Sequence, residues 1–310
     1  MKTRSLTEGA MLSAITVLLT IIGEYIGLPA LIVPVPLTLL VYRHGIRLGI
    51  IMSVASALIA SLVAGHVLSG VTIIIWGFLG IALGMALREK FSFAKTMIVG
   101  IGANLVITAL NVFFYSLLFG KNMFEELLEM MLMSVEQAMS VGQSLGLTEE
   151  MLVQYERMLE MYPLFFRWGL PALLLLSAVV MTYINLAVTR LVLKRMGDQI
   201  PWIAPFSEWR VPSYCSFGLI LGVLLSSAQG LVPQFVYIIG FNLMLLFFPM
   251  YLVIGLSIVW HFFNSKQVGK FVRILFVIFL FTFSPLSLIV TMLGVLDAGF
   301  DFRKLRTDRE

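Results

Sequence analysis

Stretches of side chains apolar enough to sit in hydrocarbon occupy most of this sequence, and the positive charge between them falls on alternate connections. A helix rises about 1.5 Å per residue, so about 20 apolar residues bridge a bilayer core about 30 Å thick. Nine stretches qualify, at 6–28, 29–42, 47–65, 69–87, 96–119, 165–190, 212–229, 234–262 and 270–296. Backbone groups find no water in that core, so the crossing segments must be helical. The expected fold class is all-α, a polytopic transmembrane helical bundle of 8–9 membrane segments. Charged residues make up 12% of the chain, against about 25% in soluble domains, which excludes an ordinary globular enzyme.

Orientation follows from the cations. With the N-terminus in the cytoplasm, Lys2, Arg4, Arg43, Arg47, Arg88, Lys90, Lys95, Arg190, Lys194, Arg195, Arg210, Lys266, Lys270 and Arg273 all lie inside. The other side receives Lys121, Arg157 and Arg167, and fourteen against three is a strong positive-inside signal. This placement accounts for the net charge of +4 without nucleic acid. Nine crossings would put Arg303, Lys304, Arg306 and Arg309 outside, so a late re-entrant segment is expected, at 270–296 (broken at Ser284-Pro285) or 234–262 (interrupted at Pro249). Eight crossings is the preferred count. The segment 29–42 holds Pro29, Pro34 and Pro36 and reads as a kinked or partly extended crossing whose freed backbone groups depend on neighbours. The first stretch carries Glu24 and runs straight into further apolar segments, so it reads as a retained span rather than a leader.

Residues 120–163 form the one sizeable aqueous piece. Asn122 followed by Glu125 marks the start of an amphipathic helix, with Phe124, Leu127, Leu128, Met131 and Val135 along one face. Thr148 can cap a second helix running to about Met161. With eight glutamates, this acidic hairpin either lies on the outer membrane surface, packs on itself, or covers an external pocket. The stretch 197–212, rich in Trp and Pro, reads as an interfacial loop or as a docking surface for a cytosolic partner.

Phosphate-loop, zinc and nucleophile motifs are absent, and Cys215 is the single cysteine, so neither an enzyme, a bound cofactor nor a metal is expected. Glu24 is the acid set deepest in a span; such a group either faces a cavity or partner or reaches the headgroups. His66, on the outer connection Ala-Gly-His-Val-Leu-Ser-Gly, is either a solvated loop histidine or faces an external site. In the fifth span Asn104, Thr108, Asn111 and Tyr115 recur at helical spacing on one face. They either join helices or line a polar pocket with Glu24. Ser177, Asn185, Asn242 and Tyr251 are weaker candidates. Gly9 with Ser13 and Ala10 with Ala14 make overlapping small-xxx-small pairs, as do Ser53, Ala57 and Ser61, and Gly80 with Gly84, spacings that let helix backbones approach closely.

The opening Leu-Thr-Glu-Gly-Ala-Met-Leu-Ser-Ala-Ile, then Gly-Leu-Pro-Ala-Leu-Ile-Val-Pro-Val-Pro, the basic turn Arg43-His44-Gly45 and the ending Asp-Ala-Gly-Phe-Asp-Phe-Arg-Lys-Leu-Arg from Asp297 resemble the YybS-like family of uncharacterised bacterial membrane proteins. Residues 1–195 also resemble the six-helix S-components of energy-coupling factor transporters. That resemblance implies a domain 1–195, with 196–310 as a C-terminal membrane extension, in the bacterial cytoplasmic membrane. It further implies vitamin- or cofactor-class uptake, with Glu24, His66, Asn104, Asn111 and Tyr115 as candidate ligand-binding residues. Gly9, Ala10, Ser13 and Ala14 become candidate docking residues for a coupling subunit driven by cytosolic ATPases. The long fifth loop and about 115 extra residues depart from the S-component pattern. The alternative class is a non-transporting scaffold or regulator of cell-envelope or sporulation processes.

Overall fold

Residues 3–144, 146, 148–228 and 230–303 are described by a computed structural model. Lys2, Lys304, Arg306 and Arg309, whose charges entered the orientation argument, lie outside them. Every regular element among the described residues is helical: α1 (Thr3–Ile26), a 3₁₀ turn (Leu28–Ile32), α2 (Pro34–His44), α3 (Ile46–Ala64), α4 (Val67–Arg88), α5 (Phe93–Phe119), α6 (Met123–Ser144) and α7 (Glu149–Arg195). A second 3₁₀ turn (Phe206–Glu208) follows, then α8 (Cys215–Ser227), α9 (Gln234–Ser265), α10 (Lys270–Thr282) and α11 (Ser284–Phe300). Six of these, α1, α3, α4, α5, α7 and α9, are long and apolar enough to cross a membrane; counting the bent pair α10–α11 as one span gives seven. The sequence expectation of eight or nine therefore needs the short segments Leu28–His44 and Cys215–Ser227 to cross as well.

The chain divides into two compact units, residues 1–134 with 174–202, and residues 135–173 with 203–310. In the first, small residues set the packing. A Cβ at Gly80 of α4 would stand 2.7 Å from the Pro34 carbonyl oxygen, and one at Gly84 would stand 2.8 Å from that of Thr38, so α2 and α4 touch backbone to backbone. One turn earlier on the same stripe, a Cβ at Gly77 would lie 2.6 Å from Ser53 Oγ of α3 and 3.2 Å from Leu37 of α2. This is the close approach that small-residue spacing predicts. α2 is buried from Pro34 to Val41, its leucines closing a core with Leu12, Leu48, Met52 and Leu193. The irregular backbone before it has a partner: Asn185 of α7 donates to the Leu31 carbonyl at 3.0 Å. Gly45, at φ 91°, is the whole connection between α2 and α3, a conformation that a side chain would strain.

The helix expected to end near Met161 does not end there. α7 runs unbroken for 47 residues, about 70 Å at helical rise, with Pro163 and Pro171 inside it. Pro171 distorts the ladder one residue before Ala172, and Asn242 of α9 bridges the gap. Its Oδ1 accepts from the Ala172 N–H at 3.0 Å while its Nδ2 donates to the Trp168 carbonyl at 2.7 Å. One amide thus stands between the two groups that would otherwise bond each other in the helix.

In the second unit α8 runs antiparallel to α9. A Cβ at Gly222 would meet the Met244 nitrogen at 2.7 Å, and Ser216 Oγ lies 2.9 Å from the Tyr251 hydroxyl. α10 and α11 meet at 105°. The start of α10 is held at the C-terminal end of α9, where Arg273 donates to Asn264 Oδ1 at 2.7 Å. Just past the end of α11, Arg303 donates to Ser257 Oγ, also in the C-terminal part of α9, at 2.8 Å. The bent pair is either a broken span or a re-entrant loop.

Candidate functional site

Gly65, whose left-handed conformation (φ 77°) closes α3, turns the chain into α4, whose start meets the end of α1. His66 follows in extended conformation as the residue before α4, and Ser69 comes three positions later on the same helical face. Ser69 Oγ is fully buried and donates to Glu24 Oε1 at 2.5 Å. His66 Nδ1 lies 3.3 Å from Ser69 Oγ, and His66 Nε2 lies 3.6 Å from Glu24 Oε2. The Glu24 side chain is 28% exposed and that of His66 49%, so the group opens outward from a buried hydroxyl. It also stands at the positive N-terminal end of α4, which favours a carboxylate. Because Ser69 donates straight to the acid, the group lacks the serine–base–acid order of a hydrolytic triad. No group of three or more His, Cys, Asp or Glu suited to a metal occurs among the described residues. A carboxylate oxygen beside a half-exposed imidazole suits a proton or a cationic group.

The five ligand-binding candidates do not converge. Glu24 and His66 meet; Asn104 is buried elsewhere, donating to the Gly100 carbonyl at 3.1 Å and to Thr182 Oγ1 of α7 at 3.0 Å. Tyr115 donates to the Glu126 carboxylate of α6, which also accepts from Lys121 Nζ at 3.2 Å. The Tyr115 hydrogen bond, then that of Lys121, hold Glu126 below its ordinary pKa. Asn111 is half-buried and its side chain makes no hydrogen bond among the described residues. The polar stripe of α5 thus ties α5 to α7 and to α6. The docking candidates also divide. Gly9 and Ser13 are buried, with Met52 of α3 only 2.9 Å from a Cβ at Gly9, whereas Ala10 and Ala14 are exposed. Trp202 packs on Phe93, with the Arg190 guanidinium 4.6 Å from its ring, so it belongs to the first unit's core rather than a free loop.

Three polar centres escaped the sequence reading. Ser69 had a signal, the i, i+3 spacing from His66. Glu8 pairs with Arg43 and lies 3.0 Å from His44 Nε2, tying the start of α1 to the basic turn. The third is in the second unit. Arg303, read from sequence as part of the basic tail, is buried: its side chain is 0% exposed and that of its partner Asp297 5%, at 2.8 Å. Its guanidinium also donates to the Ser207 and Trp209 carbonyls and to Ser257 Oγ. Beside this pair lies a cavity of about 470 Å³, lined by Arg210–Ser213, Ile254, Gly294, Asp297, Ala298 and Asp301.

An all-helical chain with six long apolar helices, polar groups turned onto broken backbone and small residues at its helix contacts is a polytopic integral membrane protein. It belongs to the DUF2232 family, described as predicted membrane proteins, whose signature matches residues 12–298. The chain is 24% identical to "Uncharacterized protein YybS" of Bacillus subtilis (strain 168) over 310 residues, 97% of this chain and 98% of that protein. This bears out the YybS-like resemblance. No solved structure matches.

Proposed function

We propose that the protein is a small-molecule-binding component of the bacterial cytoplasmic membrane, built like an S-component in its first 195 residues, that receives a cationic or protonatable ligand from outside at Glu24 and His66. The single observation that carries this reading is the Glu24 carboxylate, fixed by buried Ser69 and flanked by half-exposed His66. A carboxylate so close to hydrocarbon is costly, on the order of 2.5–3.5 kcal/mol for a centrally placed acid, and persists where it serves a site. The cation distribution supports a cytoplasmic N-terminus and hence an outward-facing Glu24. With the bent α10–α11 pair taken as re-entrant and α2 and α8 as crossings, the chain crosses eight times and its tail is cytoplasmic, the side that its basic residues favour. Exposed Ala10 and Ala14 supply a small-residue face for a coupling subunit, with ATP hydrolysis on separate chains. The scaffold alternative draws on α6, whose Met130, Met131 and Met133 stay exposed beside its glutamates.

The test is thermal unfolding of the purified full-length protein against a panel of vitamins and amine metabolites. A ligand at 100 times its dissociation constant stabilises by about 2.7 kcal/mol. A melting shift seen in wild type and lost in Glu24→Gln supports the reading. No shift across the panel, with no ATPase recovered on co-purification, moves the assignment to the scaffold.

A further inference from the structure

The hydrogen bonds around Glu24 leave its protons only one order. Ser69 has a single hydroxyl proton, committed to Glu24 Oε1 at 2.5 Å. The Ser69 oxygen can then only accept, so His66 Nδ1, at 3.3 Å, is the ring nitrogen that carries hydrogen toward it. In the neutral imidazole the other nitrogen, Nε2, is left as an acceptor. Nε2 stands 3.6 Å from Glu24 Oε2, beyond hydrogen-bond distance, so a lone pair confronts a carboxylate oxygen. Two acceptors so placed are satisfied in one of two ways: by a proton on Nε2, which turns the contact into an ion pair, or by one cation that offers an N–H to each.

The surrounding elements supply no other cation. From α1 come Glu24 itself and Tyr25, which is largely exposed. The 3₁₀ turn Leu28–Ile32, the last turn of α3 and the first turn of α4 hold no charged side chain. The outer half of α5, the helix packed on α4, brings one titratable group, Tyr115, whose hydroxyl donates to Glu126. Among the described residues no lysine or arginine pairs with Glu24. The charge of the carboxylate is therefore answered by His66 when His66 is protonated, and otherwise by what binds.

We propose that this acceptor pair seats a single cation, for which a proton and the ammonium of a primary or secondary amine compete, so that acidity outside the cell releases the ligand. The proposal rests on the outward-facing Glu24 site argued above and adds its ligand class and its regulation. With His66 neutral, one ligand N–H donates to Glu24 Oε2 and a second to His66 Nε2. With His66 charged, Nε2 keeps its proton, faces the carboxylate as a cation and repels the ammonium. Seating an ammonium at low pH therefore sends one proton from Nε2 to solvent, and the charge of the site is unchanged. A quaternary ammonium carries the same charge with no N–H, so it leaves Nε2 unpaired and is disfavoured.

Calorimetry of the purified full-length protein in detergent, with butylamine and with butyltrimethylammonium, tests this at about pH 8 and about pH 5.5, the range in which histidine changes charge. Butylamine should bind roughly tenfold or more weakly at the lower pH, with a proton released on binding that buffers of different ionisation heat reveal. Butyltrimethylammonium should bind at least roughly tenfold more weakly than butylamine at the higher pH, the scale of one hydrogen bond to a charged group. His66→Asn puts a favoured capping residue before α4, so the fold is kept. In that variant the pH dependence of butylamine binding should shrink to about twofold or less, because the titrating ring is gone. Butylamine binding that is lost in Glu24→Gln yet equal at both pH values, or equally pH-dependent in His66→Asn, upholds the Glu24 site and overturns the competition. Equal affinity for the two cations overturns the paired acceptors. No butylamine binding at either pH overturns this proposal, while a melting shift from another ligand, lost in Glu24→Gln, would still uphold the site.

Discussion

Replacing Arg303 by methionine strips the second unit of the cation that holds its loop, α9 and the chain past α11 together. The methionine fills similar volume, but the Asp297 carboxylate stays buried and loses its one hydrogen-bond donor. The carbonyls of Ser207 and Trp209 lose their guanidinium donors as well. With side-chain exposures of 0% and 5%, water screens almost none of this. Removing one member of a buried pair costs about 3–5 kcal/mol. At roughly 2–4 °C per kcal/mol for a domain of this size, the melting point should fall by about 6–20 °C. Arg303→Met combined with Asp297→Asn should recover part of the loss, because coupling between contacting residues amounts to about 0.5–3 kcal/mol. The assay is thermal unfolding of purified protein in detergent for both single variants and the double. If Arg303→Met melts within roughly 2 °C of wild type, less than about 1 kcal/mol on that scale, the pair is not the brace described here.

Gly84→Val should destabilise the first unit by about 1–3 kcal/mol, because its added carbons collide with the Thr38 carbonyl and Val41; Gly102→Ala, with open space around it, should melt like wild type. Tyr115→Phe should free the start of α6, read as faster proteolysis in the 120–130 region at neutral pH. Glu126 has its pKa depressed by the contact, so the contact stabilises above the ordinary carboxylate value of 4.5 and is lost as pH falls through the lower folded value. In wild type, proteolysis of α6 by an acid-active protease should therefore rise on acidification below that value, and in Tyr115→Phe this pH dependence should shrink. Asn242→Leu should cost about 1–3 kcal/mol by leaving the Ala172 N–H and Trp168 carbonyl unpaired, seen as a lower melting point. Ala14→Leu, on an exposed face, should leave melting unchanged yet reduce recovery of a coupling subunit; unchanged recovery counts against that docking face.

The long spans were legible because hydrocarbon leaves the backbone one option. The stretches read at 47–65, 69–87 and 234–262 fall on α3, α4 and α9 within three residues at each end. The segment 29–42, read as a kinked or partly extended crossing, is a 3₁₀ turn running into the helix α2, too short to count among the six long spans, and its dependence on a neighbour is met by Asn185. The continuity of α7 was hidden by Tyr162-Pro163, which reads as a break, since a proline inside a helix is tolerated only when surrounding structure compensates. The face shared by Asn104, Thr108, Asn111 and Tyr115 was correctly placed by periodicity, but periodicity says nothing of what a face meets, and Thr182 and Glu126 are remote in sequence. Arg303 was counted with the tail because its partner lies six residues back, around a left-handed residue, Asp301, at no helical spacing. Glu24 with His66 was suggested by their shared position at one end of the chain's crossings; Ser69, which joins them, was not.

Polar side chains inside this protein separate by what they bond. Asn185 serves the carbonyl of a 3₁₀ turn, Asn242 repairs a proline break, Asn104 binds Thr182, and Arg303 holds the carbonyls of an irregular loop. Each has a structural reason to be there, since unpaired backbone in lipid costs several kcal/mol. Glu24 has no such duty: it takes a serine donor on one oxygen and turns the other to a half-exposed histidine. If this acid were only structural, replacing it by its amide would alter stability and nothing else. If it is a site, Glu24→Gln should leave the melting point of the unliganded protein near wild type while removing the ligand-induced shift. A variant that loses stability in proportion to any lost binding would return Glu24 to the scaffold.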